Sequence, residues 1–147
     1  MKRVTLLGSA GSIGKQTLDV LRGLEDNFEV AGLASLSEVD VLREQIELFS
    51  PDFVALADKD AAKSLEEQLG NSGPEIMAGE EGVIEAAGRD CDIVVNAIVG
   101  AAALRPALAA IRPGVRLCSA NKESLVVAGH ILIPMVEEVG AELIPID

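Results

Sequence analysis

Residues Val4–Leu21 read VTLLGSAGSIGKQTLDVL: four apolar or β-branched residues, then Gly8, Gly11 and Gly14 at a spacing of three, then a helical pattern. Between a strand and a helix, glycine permits a tight turn, close approach of backbone to a pyrophosphate, and close helix–strand packing. The helix that follows turns unpaired N–H groups and its positive dipole end toward the phosphates. The spacing is G-x-x-G-x-x-G rather than G-x-G-x-x-G, with Ala10 near the usual second glycine and hydroxyl donors at Ser9 and Ser12. An ordinary strand-to-helix turn is the alternative. The position after a first strand and before an amphipathic helix favours nucleotide binding.

Outward from this unit, apolar runs and helical patterns alternate. Strands are expected at Val4–Leu7, Val30–Ala34, 52–57 (DFVALA), 74–79 (PEIMAG), Ile93–Ala97, 116–120 (RLCSA) and 142–146 (ELIPI). Helices are expected over Ile13–Leu24, with Ile13, Thr17, Val20, Leu21 and Leu24 on one face, and over the Val39, Leu42, Ile46, Phe49 pattern that Ser50-Pro51 ends. A third has Ala62, Leu65 and Leu69 on its face and stops at Gly70; shorter ones cover Glu80–Ala87 and Leu104–Ile111, with Pro106 in the first turn of the latter. The stretch Glu123–Val139 is helical but interrupted by Gly129 and Pro134. Strands alternating with helices imply right-handed βαβ units and one Rossmann-like α/β domain over residues 1–147, a doubly wound parallel sheet. No repeat, linker or low-complexity tract divides it.

Composition agrees. The chain is 49% hydrophobic and only 2% aromatic, without Trp or Tyr, so Val, Ile, Leu and Ala must build the core, as in a parallel sheet covered on both faces. The net charge of −12, with no Lys/Arg cluster, argues against nucleic acid and against an anionic membrane surface. Cys91 and Cys118 lack metal or redox spacing and read as buried reduced thiols of a cytoplasmic protein. No signal peptide and no membrane span is read. His130, the only histidine, stands without a second His or a nearby Cys and reads as a packing or surface residue.

The usual discriminator of NAD from NADP lies at the end of the second strand, an acid for the first and a base for the second. Here the chain runs Ala34-Ser35-Leu36-Ser37-Glu38. Ser35 and Ser37 can donate to a 2′-phosphate, whereas Glu38 would repel one if it turned inward; as a first-turn residue of the next helix it would instead be solvated. Both cofactors stay open on these residues. A second ligand edge lies further along. The small residues of NAIVGAAAL, Asn96–Leu104, leave room for a flat ligand, and SANKESLV gathers Asn121, Lys122, Glu123 and Ser124 where a strand meets a helix. Lys122 opposes the helix dipole there, which fits an ammonium that holds a substrate oxygen as charge develops. Asp147, at the end of the last strand on that edge, suits Mg²⁺ or Mn²⁺, the further ligands lying outside these residues. Three functions are compatible so far: an enzyme's cofactor domain, a stand-alone nucleotide-binding or sensing module, and another NAD(P)-dependent dehydrogenase, although no Cys nucleophile stands in an activating context.

Taken together, LLGSAGSIGKQTLDVL, NAIVGAAALRPALAAI, ANKESLV and the terminal ELIPID resemble the N-terminal domain of the 1-deoxy-D-xylulose 5-phosphate reductoisomerases, from about Lys2 to Asp147. The resemblance implies an NADPH-dependent oxidoreductase of non-mevalonate isoprene biosynthesis. Such an enzyme rearranges a deoxyketose phosphate with a divalent metal, Mn or Mg, and reduces the product to 2-C-methyl-D-erythritol 4-phosphate. It further implies that Ala10, Gly11, Ser12 and Ile13, in the glycine loop whose Gly8 and Ser9 are already read as cofactor-binding, hold the cofactor pyrophosphate, that Asn121 and Glu123 contact the cofactor, that Lys122 contacts substrate, and that Asp147 is the first metal carboxylate. The chain departs from the family at Ala10, where Thr is common, and at Leu36, Ser37 and Glu38, where many members carry a Gly-Lys/Arg-Asn turn. Family enzymes continue past the aspartate into a catalytic domain that forms much of a homodimer interface. These 147 residues alone are therefore expected to bind cofactor without turnover.

Overall fold

The computed structural model describes residues 1–146. Among them the strands are β1 Lys2–Leu7, β2 Phe28–Ser35, β3 Phe53–Leu56, β4 Glu75–Ala78, β5 Ile93–Asn96, β6 Arg116–Ser119 and β7 Glu142–Pro145. They alternate with helices α1 Ser12–Arg22, α2 Val39–Phe49, α3 Lys59–Leu69, α4 Gly79–Gly88, α5 Leu104–Ala110 and α6 Lys122–Val139. The strands form one sheet in the order β4-β3-β2-β1-β5-β6-β7, and every pairing is parallel. The doubly wound α/β fold read from the sequence is the observed one. From central β1 the chain winds outward to β4, then returns to β5 on the other side of β1. That reversal opens a crevice between the carboxyl ends of β1 and β5.

Both faces of the sheet are covered, which explains why its strands are apolar without alternation. On one face Leu6, Leu33, Val54 and Val95 pack with Leu18, Leu42, Ile46 and Leu65 from α1 to α3. On the other, Leu7, Ala34, Val94 and Leu117 pack with Val83, Ala107, Leu132 and Val136 from α4 to α6. Register aligns the strand ends: Leu7 stands opposite both Ala34 and Asn96. The N–H groups of Gly8 and Ser9 both donate to the Ala34 carbonyl at 2.9 Å, and the Ala97 N–H donates to that of Leu7 at 2.8 Å. The loops after β1, β2 and β5 thus start from one level.

Several expectations need correction. The buried face of α1 is Gly14, Leu18 and half-buried Leu21, not the apolar set centred on Ile13; Val20 is 62% exposed, and Ile13 and Leu24 are exposed as well. The reason is that Gly14 docks the helix through backbone, so the contact face contains a position with no side chain to announce it. Helix α6 runs through Gly129 and Pro134 without interruption. A proline inside a helix costs roughly 3 kcal/mol, which buried Ala128, Leu132 and Val136, at i, i+4 and i+8, offset by packing. A 3-10 turn at Gly100–Ala103, which the sequence pattern does not announce, precedes α5. The rest of α6 is less covered: Val126, Val127, Ile131 and Ile133 are exposed, and a groove of about 510 Å³ lies between α6 and β7. Cys91 and Cys118 are both free thiols, the first buried and the second half-buried, and His130 is exposed. No helix among the described residues is long and apolar enough to cross a membrane.

Candidate cofactor cleft

The three glycines do three different jobs. Gly8 has φ +80°, and a Cβ there would stand 2.7 Å from the carbonyl carbon and oxygen of Ala97. Its missing side chain lets the β1 loop cross the end of β5. At Gly14 a Cβ would stand 2.2 Å from the Gly8 oxygen and 2.7 Å from Ser9 Cα, so α1 rests directly on the loop it leaves. Gly11 is different. It is the N-cap of α1 with φ −79° and ψ 175°, a conformation open to any residue, and its Cβ would meet only the Gly8 oxygen at 3.6 Å. Nothing in the fold requires glycine at 11, so the open space over it is available to a ligand.

The N-terminus of α1 is built to receive an anion. No side chain caps it and no acidic residue lies in its first turn, which leaves the leading N–H groups to an outside acceptor. Gly8, Ala10 and Gly11 line a cleft of about 560 Å³ whose other walls include Ala34–Leu36 and Glu38 at the end of β2, Ala97–Val99 after β5, and the charged Glu80 of α4 and Arg105 of α5. This volume is ordinary for a small-molecule or cofactor site. The cleft lies at the topological switch point, where ligands of such sheets bind.

The sequence-predicted residues fall into three places. Gly8, Ala10, Gly11 and Ser35 line the cleft itself. Beside it, Ser9 is fully buried with its Oγ unpartnered, Ile13 is exposed, and exposed Ser12 accepts from Gln16 Nε2 at 3.1 Å. Exposed Ser37 belongs to the β2 edge, where its N–H donates to the Glu38 carboxylate at 2.9 Å. Third comes the β6–α6 junction. Asn121 is buried there, and its Nδ2 donates to the carbonyls of Ile98 at 3.0 Å and Gly100 at 2.8 Å, tying this junction to the β5 wall of the cleft. Lys122 and Glu123 are exposed in the first turn of α6. Asp147 lies outside the described residues, and among those described no three His, Cys, Asp or Glu side chains group as a metal site.

Glu38 is exposed, as expected of a solvated residue, but it stands just before the first turn of α2. It is the N-cap of α2, and its carboxylate folds back to accept from the Ser35 hydroxyl as well as from the Ser37 N–H. The Ser35 hydrogen bond, with backbone N–H groups adding to it, holds the Glu38 carboxyl below the usual carboxylate range against the opposing effect of burial. A negative charge therefore stands at the β2 end of the cleft at neutral pH.

Two buried side chains support the walls and were missed in the sequence. Asn96, at the end of β5, donates to the Ala103 carbonyl at 2.9 Å and accepts from the Ile98 N–H at 3.3 Å, which shapes the β5 wall. Gln45 of α2, only 6% exposed, donates to the Ser9 carbonyl at 2.9 Å and holds the glycine loop from below. The available signal was a polar residue within the Leu42, Ile46, Phe49 face. Gln45→Leu keeps the volume and strands the Ser9 carbonyl. A loss of roughly 1–3 kcal/mol is expected, read as a lower urea midpoint at unchanged slope; an unchanged midpoint would show that the loop holds without this bond.

A family model described as 1-deoxy-D-xylulose 5-phosphate reductoisomerase matches residues 4–129. The relative of that name from Geotalea uraniireducens (strain Rf4) is 46% identical over 148 residues, covering 100% of this chain and 38% of its own. The one from Chlorobium phaeobacteroides (strain BS1) is 47% identical over 148 residues, covering 100% and 39%. The chain thus spans well under half the length of these curated relatives. Among solved structures, the reductoisomerase from Zymomonas mobilis in complex with NADPH matches at a TM-score of 0.94 and 38% identity, over 99% of this chain and 38% of that one. A DOX-P reductoisomerase with fosmidomycin and magnesium matches at 0.93 and 37% identity, over 100% of this chain and 37% of its own.

Proposed function

The chain belongs to the 1-deoxy-D-xylulose 5-phosphate reductoisomerase family, and from that premise we propose that it is the NADPH-binding domain of an enzyme that rearranges 1-deoxy-D-xylulose 5-phosphate and reduces it to 2-C-methyl-D-erythritol 4-phosphate. The observation that carries this reading is the uncapped, acid-free N-terminus of α1 beside a cleft of about 560 Å³ at the switch point of the sheet.

The residues present fit a dinucleotide. Gly8, Ser9, Ala10, Gly11, Ser12 and Ile13 surround the pyrophosphate, with backbone N–H groups rather than cationic side chains balancing its charge. Ser35 and Ser37 lie with the adenosine ribose. Asn121 and Glu123 contact the cofactor, and Asn121 also fixes the wall at Ile98 and Gly100. The cofactor, when bound, supplies the hydride for the reduction. Lys122 holds a substrate oxygen through its ammonium group and stabilises charge that develops there. Asp147 is the proposed carboxylate ligand of Mg²⁺ or Mn²⁺ in the whole enzyme.

The whole enzyme is proposed to be a cytoplasmic homodimer that takes a small phosphorylated substrate and no nucleic acid, in keeping with the net charge of −12 on these 147 residues. Turnover by these 147 residues alone is not expected. Calorimetric titration of the chain with NADPH tests the reading: saturable binding at one NADPH per chain is expected, and no heat of binding from a demonstrably folded chain would refute it.

A further inference from the structure

The adenosine end of the cleft is acidic where a 2′-phosphate would be expected to find donors. On the β2 side its lining is Ala34 and Ser35 at the strand's end and Leu36 and Glu38 beyond it, and Glu80 of α4 is the other acid that lines the cleft. Two donors at that corner, the Ser35 hydroxyl and the Ser37 N–H, are already engaged by the Glu38 carboxylate. Arg105, the cation among the described lining residues, is turned to Glu81 at 3.0 Å. A 2′-phosphate brings nearly two negative charges. To be held, it must displace Glu38 from Ser35 and Ser37 and then tolerate the displaced carboxylate nearby. A free 2′-hydroxyl needs neither step, since it can donate to a carboxylate left where it is.

We propose that Glu38 sets the cofactor preference of this chain, leaving a site that takes NADH within about tenfold of NADPH rather than excluding it. The inference rests on the cofactor cleft of the preceding reading and adds a specificity-determining residue to it. Glu38 acts in two ways. It occupies the donors that would bind a phosphate, and it repels the phosphate's charge. Both effects weaken NADPH and spare NADH. Displacing Glu38 frees two donors together, so the phosphate is penalised and still accommodated.

The test is calorimetric titration of the chain and of Glu38→Gln with NADPH and with NADH, at one fixed ionic strength. The side chain is exposed and the variant keeps its shape and its hydrogen-bonding oxygen, so circular dichroism should report an unchanged fold. For the parent chain, the ratio of Kd for NADH to Kd for NADPH is expected below about ten. In Glu38→Gln the ratio should rise about tenfold, nearly all of it through tighter NADPH. A parent ratio above about ten, or a ratio that the substitution leaves unchanged, would overturn the proposal while both cofactors still bind. If a folded chain binds neither cofactor, the reading of the cleft itself fails, and this inference fails with it.

Discussion

Gly14→Ala is expected to destabilise the chain by roughly 3 kcal/mol or more, lowering the melting temperature by about 10 °C. Helix propensity predicts the opposite sign, since alanine inside a helix is favoured over glycine by about 1 kcal/mol. Position decides which effect wins. The new Cβ would lie 2.2 Å from the Gly8 oxygen, 2.7 Å from Ser9 Cα and 2.9 Å from the Ser9 carbonyl carbon. All three are backbone atoms, and the loop that carries them is pinned by Ala34 on one side and by Gln45 below. No side chain can swing aside, so α1 must lift from the loop and take Leu18 out of its contacts. Thermal melts followed by circular dichroism measure this directly. An unchanged or raised midpoint would mean that the loop yields freely, and that close packing is not why a glycine stands at 14.

The same exchange three residues earlier should do the reverse. Gly11→Ala has no clash to relieve, with its nearest atom at 3.6 Å and a backbone conformation that alanine adopts. Its cost to stability is that of a poorer N-cap, about 1 kcal/mol or less. Yet a methyl group here projects into the space where a pyrophosphate would come against the helix N-terminus. NADPH affinity is therefore expected to fall about thirtyfold, equivalent to about 2 kcal/mol. Parallel melting and titration of the two variants would separate them: one glycine kept for the fold, the other for the ligand. Normal NADPH binding by Gly11→Ala would remove the pyrophosphate from this position.

Much of the fold was legible because glycines and apolar runs mark it twice. Buried strands such as Val54–Leu56 have no alternation to lose, and Ser50-Pro51 and Gly70 close their helices where they stand in the sequence. The face of α1 was misread because periodicity counts side chains, and the tightest contact is made by a residue without one. Pro134 looked like a break because local propensity does not include the packing of Leu132 and Val136. In the cleft, the glycine loop and the small residues after β5 could be found from pattern alone. Gln45 and Asn96 could not, since a polar residue on a buried face looks like a flaw until its acceptor is brought close by the fold. Glu38 was recognised as a choice between solvated and inward-turned. In the structure it is both: the side chain stays exposed, while the turn from Ser35 to the N-cap folds its carboxylate back on the Ser35 hydroxyl.

The most direct measurement is an amide nuclear magnetic resonance titration of the chain with NADPH, with every backbone N–H serving as a reporter. The largest shifts are predicted at Ser12 and Ile13, where the leading N–H groups of α1 would take the pyrophosphate, with smaller ones at Ser35, Ser37 and Ala97–Val99 around the cleft. Shifts concentrated instead in the groove between α6 and β7, with the glycine loop unmoved at saturation, would contradict the assignment of this cleft as the cofactor site.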